Sequence, residues 1–300
     1  MRIPLLSLFL FTFSLTSGSF VSFDSHASEI EKVLPVAEQE HVGPLVIIGG
    51  GQIPKSILNK IVALSGGAQS RLIIVPLASS IPVEVALDTK KMFQDHGAVQ
   101  TEVFQCKAEA MDTPICLKQL SSATGVFFTG GDQNKLAQAF AQTQAFKEVL
   151  AIHQRGGVLA GTSAGAAIMS QIMLTGDEKP ETNHQTIKQP LPFSTIQKQR
   201  VITSAGFGLV SRYIIDQHFI KRQRQNRLMS VVLDHPQRIG IGIDESTAIL
   251  VHPDQSFEVL GDASVLVIDA RQASISNDGH QNYSTRNLLM HLLTVGQVYP

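Results

Sequence analysis

An α/β architecture built on a mostly parallel sheet is predicted by three features of this 300-residue sequence. Short, uninterrupted apolar runs recur along the chain. Stretches with apolar residues at three- to four-residue spacing separate them, and several runs end in glycine. Continuous apolar strands mark a sheet covered on both faces, as alternating strands and helices produce. With 43% hydrophobic and 16% charged residues, the chain has ample material for a large core.

The first run, Leu45-Val46-Ile47-Ile48, enters Gly49-Gly50-Gly51 and reads as a buried strand leading into a tight turn. Pro54 opens a helix through about Leu64, with Ile57, Leu58, Ile61 and Leu64 at helical spacing. A strand over 72–77, a helix near 82–96, a strand near 99–106 and the run Gly125-Val126-Phe127-Phe128 follow. Residues 134–153 read as one amphipathic helix, and Gly157-Val158-Leu159-Ala160 as a further buried strand. After residue 200 the character changes. A long helix near 217–233 leads to strands at about 239–251, 257–260 and 264–268, with hairpin-like spacing, and 273–283 reads as irregular. The economical organisation is a single α/β domain over 44–300 with a C-terminal antiparallel extension.

Residues 1–27 belong to a different regime. Met1-Arg2 precedes an uncharged apolar and hydroxylated stretch, Ile3 to Val21, and Ser25-His26-Ala27 places small residues where a leader is cleaved. This is the pattern of a signal peptide; Ser, Thr and Gly dilute it below the roughly 20 apolar residues of a membrane span. Residues 28–43 form a polar lead-in. An exported protein, periplasmic or extracellular and off the membrane after cleavage, is expected. In that setting Cys106 and Cys116, ten positions apart, can pair as a local disulfide.

Charge is balanced, with 24 Lys and Arg against 25 Asp and Glu, so nothing points to a nucleic-acid partner. The absence of Trp and only three Tyr argue against a module that binds on exposed aromatic platforms. Two cysteines without a matching histidine cluster make a poor zinc site, and no metal or organic cofactor is expected. Gly49-Gly50-Gly51 lacks both the G-x-G-x-x-G spacing and a Gly-Lys-Ser/Thr pair, which rejects a nucleotide reading.

The sharpest chemical signal is Gly161-Thr162-Ser163-Ala164-Gly165, where a buried strand meets a helix. This is a nucleophile elbow: the turn projects the Ser163 hydroxyl from the sheet edge, and the helix start offers backbone N–H groups to a developing oxyanion. Thr129-Gly130-Gly131-Asp132-Gln133 also follows a strand and precedes a helix, so Gly131 and Ala164 are the expected oxyanion donors. A serine hydroxyl needs a base at neutral pH, and His218, in Ile214-Ile215-Asp216-Gln217-His218-Phe219, is the candidate. Two carboxylates suit the orienting acid, Glu181 and Glu245, and the residues alone do not choose between them. Arg222, Arg224 and Arg227 read either as a solvated helix face or as a clamp for a substrate carboxylate.

Together, Phe-Phe-Thr-Gly-Gly-Asp-Gln at 127–133, Gly-Thr-Ser-Ala-Gly-Ala-Ala at 161–167, Glu181-Thr182-Asn183, Ile215-Asp216-Gln217-His218-Phe219 with its three arginines, and Gly-Ile-Gly-Ile-Asp-Glu at 240–245 resemble a known family. It is the serine peptidase family that contains the cyanophycinases and the bacterial aspartyl dipeptidase. The resemblance spans about 44–270 and implies a class I glutamine amidotransferase-like sandwich. It implies hydrolysis of cyanophycin, a polyaspartate carrying arginine on its side-chain carboxyls, to β-Asp-Arg dipeptides. By position it implies Ser163 as nucleophile, His218 as base and Glu181 as acid, with Glu245 a rival. Gln133, Asp216, Gln217, Arg222, Arg224 and Arg227 match its substrate pocket. The leader matches an extracellular form, and the segment between Glu181 and Asp216 is longer than the family leads one to expect. An aspartyl or isoaspartyl dipeptidase of the same family is the nearest alternative, and a catalytically inactive binding protein on this scaffold the more distant one. An esterase of the α/β-hydrolase type shares the order Ser, acid, His but carries a different oxyanion segment. The oligomeric state stays open, with a homodimer among the options.

Overall fold

A computed structural model describes residues 43–179, 195–279 and 281–300; the expected signal peptide, residues 28–42 of the lead-in and Glu181 lie outside them. Leu45–Ile48 (β1) is buried throughout, with Leu45 and Ile47 in one core and Val46 and Ile48 in another. A strand apolar on both faces has to sit inside a sheet covered on both sides. Helix Lys55–Leu64 (α1), strand Arg71–Val75 (β2), helix Pro82–Gln94 (α2) and strand Gln100–Val103 (β3) come next. They are followed by Pro114–Ser121 (α3), Gly125–Phe128 (β4), Gln133–Phe140 (α4), Gln144–Gln154 (α5), Val158–Thr162 (β5) and Ala164–Ala167 (α6). The five strands lie parallel in the order β1-β5-β4-β2-β3.

Helices α1 and α2 cover one face, where Phe93 meets Phe127 edge-on with ring centroids 4.9 Å apart. Helices α3 to α6 cover the other. Full burial of such a side chain contributes about 1.5–3 kcal/mol. The one helix expected over 134–153 is two. The chain leaves α4 at Ala141, and the Thr143 hydroxyl accepts the N–H of Phe146 at 3.1 Å to start α5. A threonine that satisfies a helix-start donor in this way favours a restart over continuation. Cys106 and Cys116 are bonded to each other, their Cα atoms 6.1 Å apart, tying the exit of edge strand β3 to α3.

Beyond α6, Ile172–Glu178 (β6) and Val201–Ala205 (β7) pair as an antiparallel ribbon. Tyr213–Gln217 (β8), helix Gln225–Asp234 (α7) and Ile239–Ile243 (β9) follow. The helix expected from about 217 thus begins at Gln225. Residues 213–217 are claimed by parallel pairing with β9, and a turn intervenes. The strand expected over 239–251 breaks at Asp244–Ser246, and its halves enter different sheets. Thr247–Val251 (β10) runs antiparallel to β1, and Phe257–Gly261 (β11) pairs with β10. Ser264–Asp269 (β12) returns to β9. Ser274–Asn277 (β13) and Tyr283–Arg286 (β14) form a ribbon where irregular chain was expected. Leu289–Thr294 (β15) completes a four-stranded sheet ordered β15-β12-β9-β8, and Val298–Tyr299 (β16) edges an eight-stranded one ordered β16-β11-β10-β1-β5-β4-β2-β3. The α/β class with a parallel sheet and C-terminal antiparallel strands is therefore what the chain adopts.

Helix α7 packs on the smaller sheet through Leu228, Val231 and Val232, against Ile214, Phe219 and Ile268. The carboxyl ends of β1 and β5 from the large sheet and of β8 and β9 from the small one converge, joined by backbone hydrogen bonds. Carboxyl ends of parallel strands are where open α/β sheets build their sites. No helix among the described residues is long and apolar enough to cross a membrane.

Candidate active site

Ser163 sits at the corner between β5 and α6 with φ 54° and ψ −111°. A non-glycine residue held in such a conformation costs about 1–3 kcal/mol and persists only where its surroundings enforce it. Here the enforcement is backbone pairing: Ser163 N donates to Ile48 O at 3.0 Å, and Ser163 O accepts from Ala166 N and Ala167 N, each at 3.0 Å. The flanking glycines serve close packing rather than the turn itself. A Cβ on Gly161 would lie 2.2 Å from Gly165 O, and one on Gly165 would lie 2.2 Å from Phe128 O. The strained conformation is carried by the serine.

His218 follows β8 at φ 47° and is buried. Its Nε2 lies 2.9 Å from Ser163 Oγ, and its Nδ1 lies 2.6 Å from Glu245 Oε1. The chain of donors is consistent for a neutral ring: the Ser163 hydroxyl donates to Nε2, and Nδ1–H donates to Glu245. Of the two carboxylates the sequence offers as the acid, Glu245 is the one seen against Nδ1, and Glu181 lies outside the described residues. Glu245 reaches this position because the chain breaks between β9 and β10.

Gly49-Gly50-Gly51, expected as a tight turn closing a buried strand and not as a nucleotide site, brings all three groups together with the end of β1. Ile48 O receives Ser163 N, Gly49 O receives His218 N at 2.7 Å, and Gly50 O receives Ser246 N at 2.9 Å. Gly50 has φ +106°, and a Cβ there would lie 2.3 Å from His218 Cε1 and 2.4 Å from Nε2. Only glycine allows the ring to lie on this turn. The signal was present as a glycine run closing a buried strand, but what it packs against is 168 positions away in sequence (218 − 50). Gly50→Ala is expected to displace the imidazole and lower kcat by about 10²-fold or more, read in steady-state kinetics beside a thermal melt of the same protein. Unchanged turnover would show that the ring does not depend on this contact.

Burial pushes the His218 imidazole below its ordinary pKa; the hydrogen bond it donates to Glu245 opposes that shift, and the nearby Arg222 adds to it. The ring is therefore neutral, and able to accept a proton, at neutral pH. The hydrogen bond to His218 holds the Glu245 carboxyl below its usual range.

The predicted pocket residues divide into two groups. Asp216 is fully buried and makes a two-point ion pair with Arg227: Nε to Oδ2 at 2.7 Å, and Nη2 to Oδ1. Oδ1 also receives the N–H of Gln217 at 2.7 Å. In the structure Asp216 thus faces arginine on this chain, with Arg224 Nη1 also 3.8 Å from its Oδ1, so Asp216 and Arg227 are first of all partners of each other. Arg224 is partly exposed and donates through Nη1 to Gln217 O at 2.6 Å and to Gln217 Oε1 at 2.7 Å. Burial and the adjacent Arg227 lower its pKa to about 10, which leaves it cationic at neutral pH. Arg222 is exposed beside His218, and its N–H donates to His218 O at 2.9 Å. Gln133 is buried and spends its amide nitrogen on Leu174 O and Thr175 O, both at 2.7 Å, so it holds β6.

Near the hydroxyl, Gly130 comes closer than Gly131. A Cβ on Gly130 would lie 3.3 Å from Ser163 Cβ, whereas one on Gly131 would meet Ala78 O at 2.1 Å. The N–H of Ala164, first in α6, has no acceptor within its helix. Among the described residues no group of three or more His, Cys, Asp or Glu side chains is placed to hold a metal ion.

The sequence pattern of peptidase family S51 matches residues 45–259. A cyanophycinase from Trichormus variabilis is 32% identical over 280 residues, covering 90% of this chain and 88% of its own. A cyanophycinase from Geminocystis herdmanii is 30% identical over 264 residues, covering 85% and 92%. Among solved structures, a peptidase from an acI-B1 Actinobacterium superposes with a TM-score of 0.63 over 87% of this chain and 98% of its own, at 23% identity. That likeness is one of fold, the class I glutamine amidotransferase-like arrangement.

Proposed function

The chain belongs to peptidase family S51, and from this we propose that it is a cyanophycinase-like serine exopeptidase releasing β-Asp-Arg dipeptides from multi-L-arginyl-poly-L-aspartate. Family membership makes it a serine-type peptidase. The observation that carries the finer reading of the site is the continuous relay from Ser163 Oγ through His218 to Glu245.

In this mechanism Ser163 Oγ attacks the backbone peptide carbonyl as its proton passes to His218 Nε2. Glu245 holds the ring in the required tautomer and offsets the charge the ring acquires. Ala164, Gly131 and Gly130, which packs on the serine, are the N–H groups assigned to stabilise the oxyanion. His218 returns its proton to the departing amine, which leaves as the C–N bond breaks. Water then attacks the acyl-enzyme by the same route, releasing the acid and regenerating Ser163. Arg222, exposed, and Arg224, which is partly exposed at the edge of the Asp216 pair, are the arginines of this cluster placed to attract a substrate carboxylate.

The leader at residues 1–27 and the Cys106–Cys116 bond support export to an oxidising compartment. Incubating the purified protein with cyanophycin and with a panel of β-aspartyl dipeptides tests the substrate, with products identified by mass spectrometry. Release of β-Asp-Arg from the polymer is expected. Cleavage of the dipeptides alone would transfer the activity to short peptides.

Arg224→Lys and Arg227→Lys are expected to separate. Loss of a guanidinium that reaches substrate raises KM, and a charged hydrogen bond is worth about 1.5–3 kcal/mol, so Arg224→Lys weakens kcat/KM about tenfold. Arg227→Lys leaves part of a buried carboxylate unpaired, at about 1–3 kcal/mol, and lowers the melting temperature by several degrees, at roughly 2–4 °C per kcal/mol. Calorimetry and kinetics on both variants decide; the reverse pattern would return Arg227 to the substrate.

A further inference from the structure

A cavity of about 420 Å³ adjoins the nucleophile and shares only Gly130 with the chemistry above. Gly130 and Thr162 form its wall beside Ser163, Gly51 and Lys55 its wall beneath α1, and Leu58 and Phe127 give it an apolar floor. None of Asp216, Gln217, Arg222, Arg224 and Arg227 lines it, and no Asp or Glu does. Its fixed charge is that of Lys55; His96 is the other ionisable side chain on its wall. The Lys55 side chain is exposed and makes no ion pair or hydrogen bond among the described residues. It is also the first residue of α1, where the helix dipole disfavours a cation, so it is not there to stabilise the helix.

An apolar floor with one cation at the rim suits a short aliphatic stem that ends in an anion. The geometry points to a second substrate subsite here, separate from the arginine cluster, that takes a carboxylate-ended side arm next to the scissile bond through Lys55. The assignment rests on the peptidase reading of Ser163. On a polymer whose arms end in both a guanidinium and a carboxylate, a lysine in a cavity that no Asp or Glu lines selects the carboxylate and leaves the guanidinium to solvent.

Binding to the Ser163→Ala protein tests this without requiring turnover. Titration calorimetry would compare a synthetic β-Asp-Arg trimer with the same trimer amidated at its arginyl carboxyls. Lys55→Met is expected to weaken binding of the carboxylate trimer about fivefold, the upper end of what an exposed ion pair contributes. It leaves the amidated trimer unchanged, and Lys55→Arg restores affinity. Equal affinity with and without Lys55, equal weakening of both trimers, or no binding of either overturns the subsite. Cleavage of the trimer by protein with Ser163 intact is read separately. Cleavage without Lys55 dependence removes the subsite and leaves the peptidase reading standing, whereas Lys55-dependent binding without cleavage does the reverse.

Discussion

Ser163→Ala is expected to lower kcat on peptide substrates by about 10⁵–10⁶-fold, the scale seen when a nucleophile that acts as part of a unit is removed. Its melting temperature should stay within roughly 2 °C of the parent. The separation follows from what the side chain does. The backbone conformation at this corner is imposed by hydrogen bonds to Ile48 O and from Ala166 N and Ala167 N, all of which an alanine keeps. What it loses is the hydroxyl, whose hydrogen-bond partner is His218. Retained turnover above about a hundredth of the parent would mean that another group attacks the substrate.

Glu245→Gln should cost about 10³–10⁴-fold in kcat, because an amide at this position no longer fixes the imidazole tautomer or offsets its charge. The pH profile supplies a signature that a merely structural glutamate would not. The active form of His218 is neutral, and burial holds its pKa below the ordinary value. The acid limb of kcat/KM in the parent enzyme therefore falls below about pH 6.5. Glu245 is the group that pulls the ring's pKa back up, so removing its charge leaves burial and Arg222 to dominate. The limb should move to lower pH still while kcat drops. A limb that stays in place or moves upward would contradict the pairing of these two residues.

The strands were readable wherever burial is two-sided, since Leu45-Val46-Ile47-Ile48 and Gly125-Val126-Phe127-Phe128 admit no half-exposed alternative. Ser163 was readable because strand, small-residue turn and helix start are contiguous in sequence. Four things were not. The division of 239–251 between two sheets depends on what each half pairs with, and β1 and β12 are distant in sequence. The choice of Glu245 depends on that division, because the break at Asp244–Ser246 is what turns the carboxylate toward His218. The fate of Asp216 and Arg227 depends on burial: two opposite charges 11 positions apart look the same whether they face a substrate or each other. Gly50 was seen as a turn and missed as a seat for the imidazole, for the same reason of distant packing.

Reaction with a fluorophosphonate probe, followed by peptide mass spectrometry of the adduct, tests the nucleophile most directly. A hydroxyl activated by neutral His218 predicts a single adduct on Ser163, formed faster as pH rises through the acid limb and absent in Ser163→Ala. An adduct on a different residue, or full labelling of the Ser163→Ala protein, would contradict it.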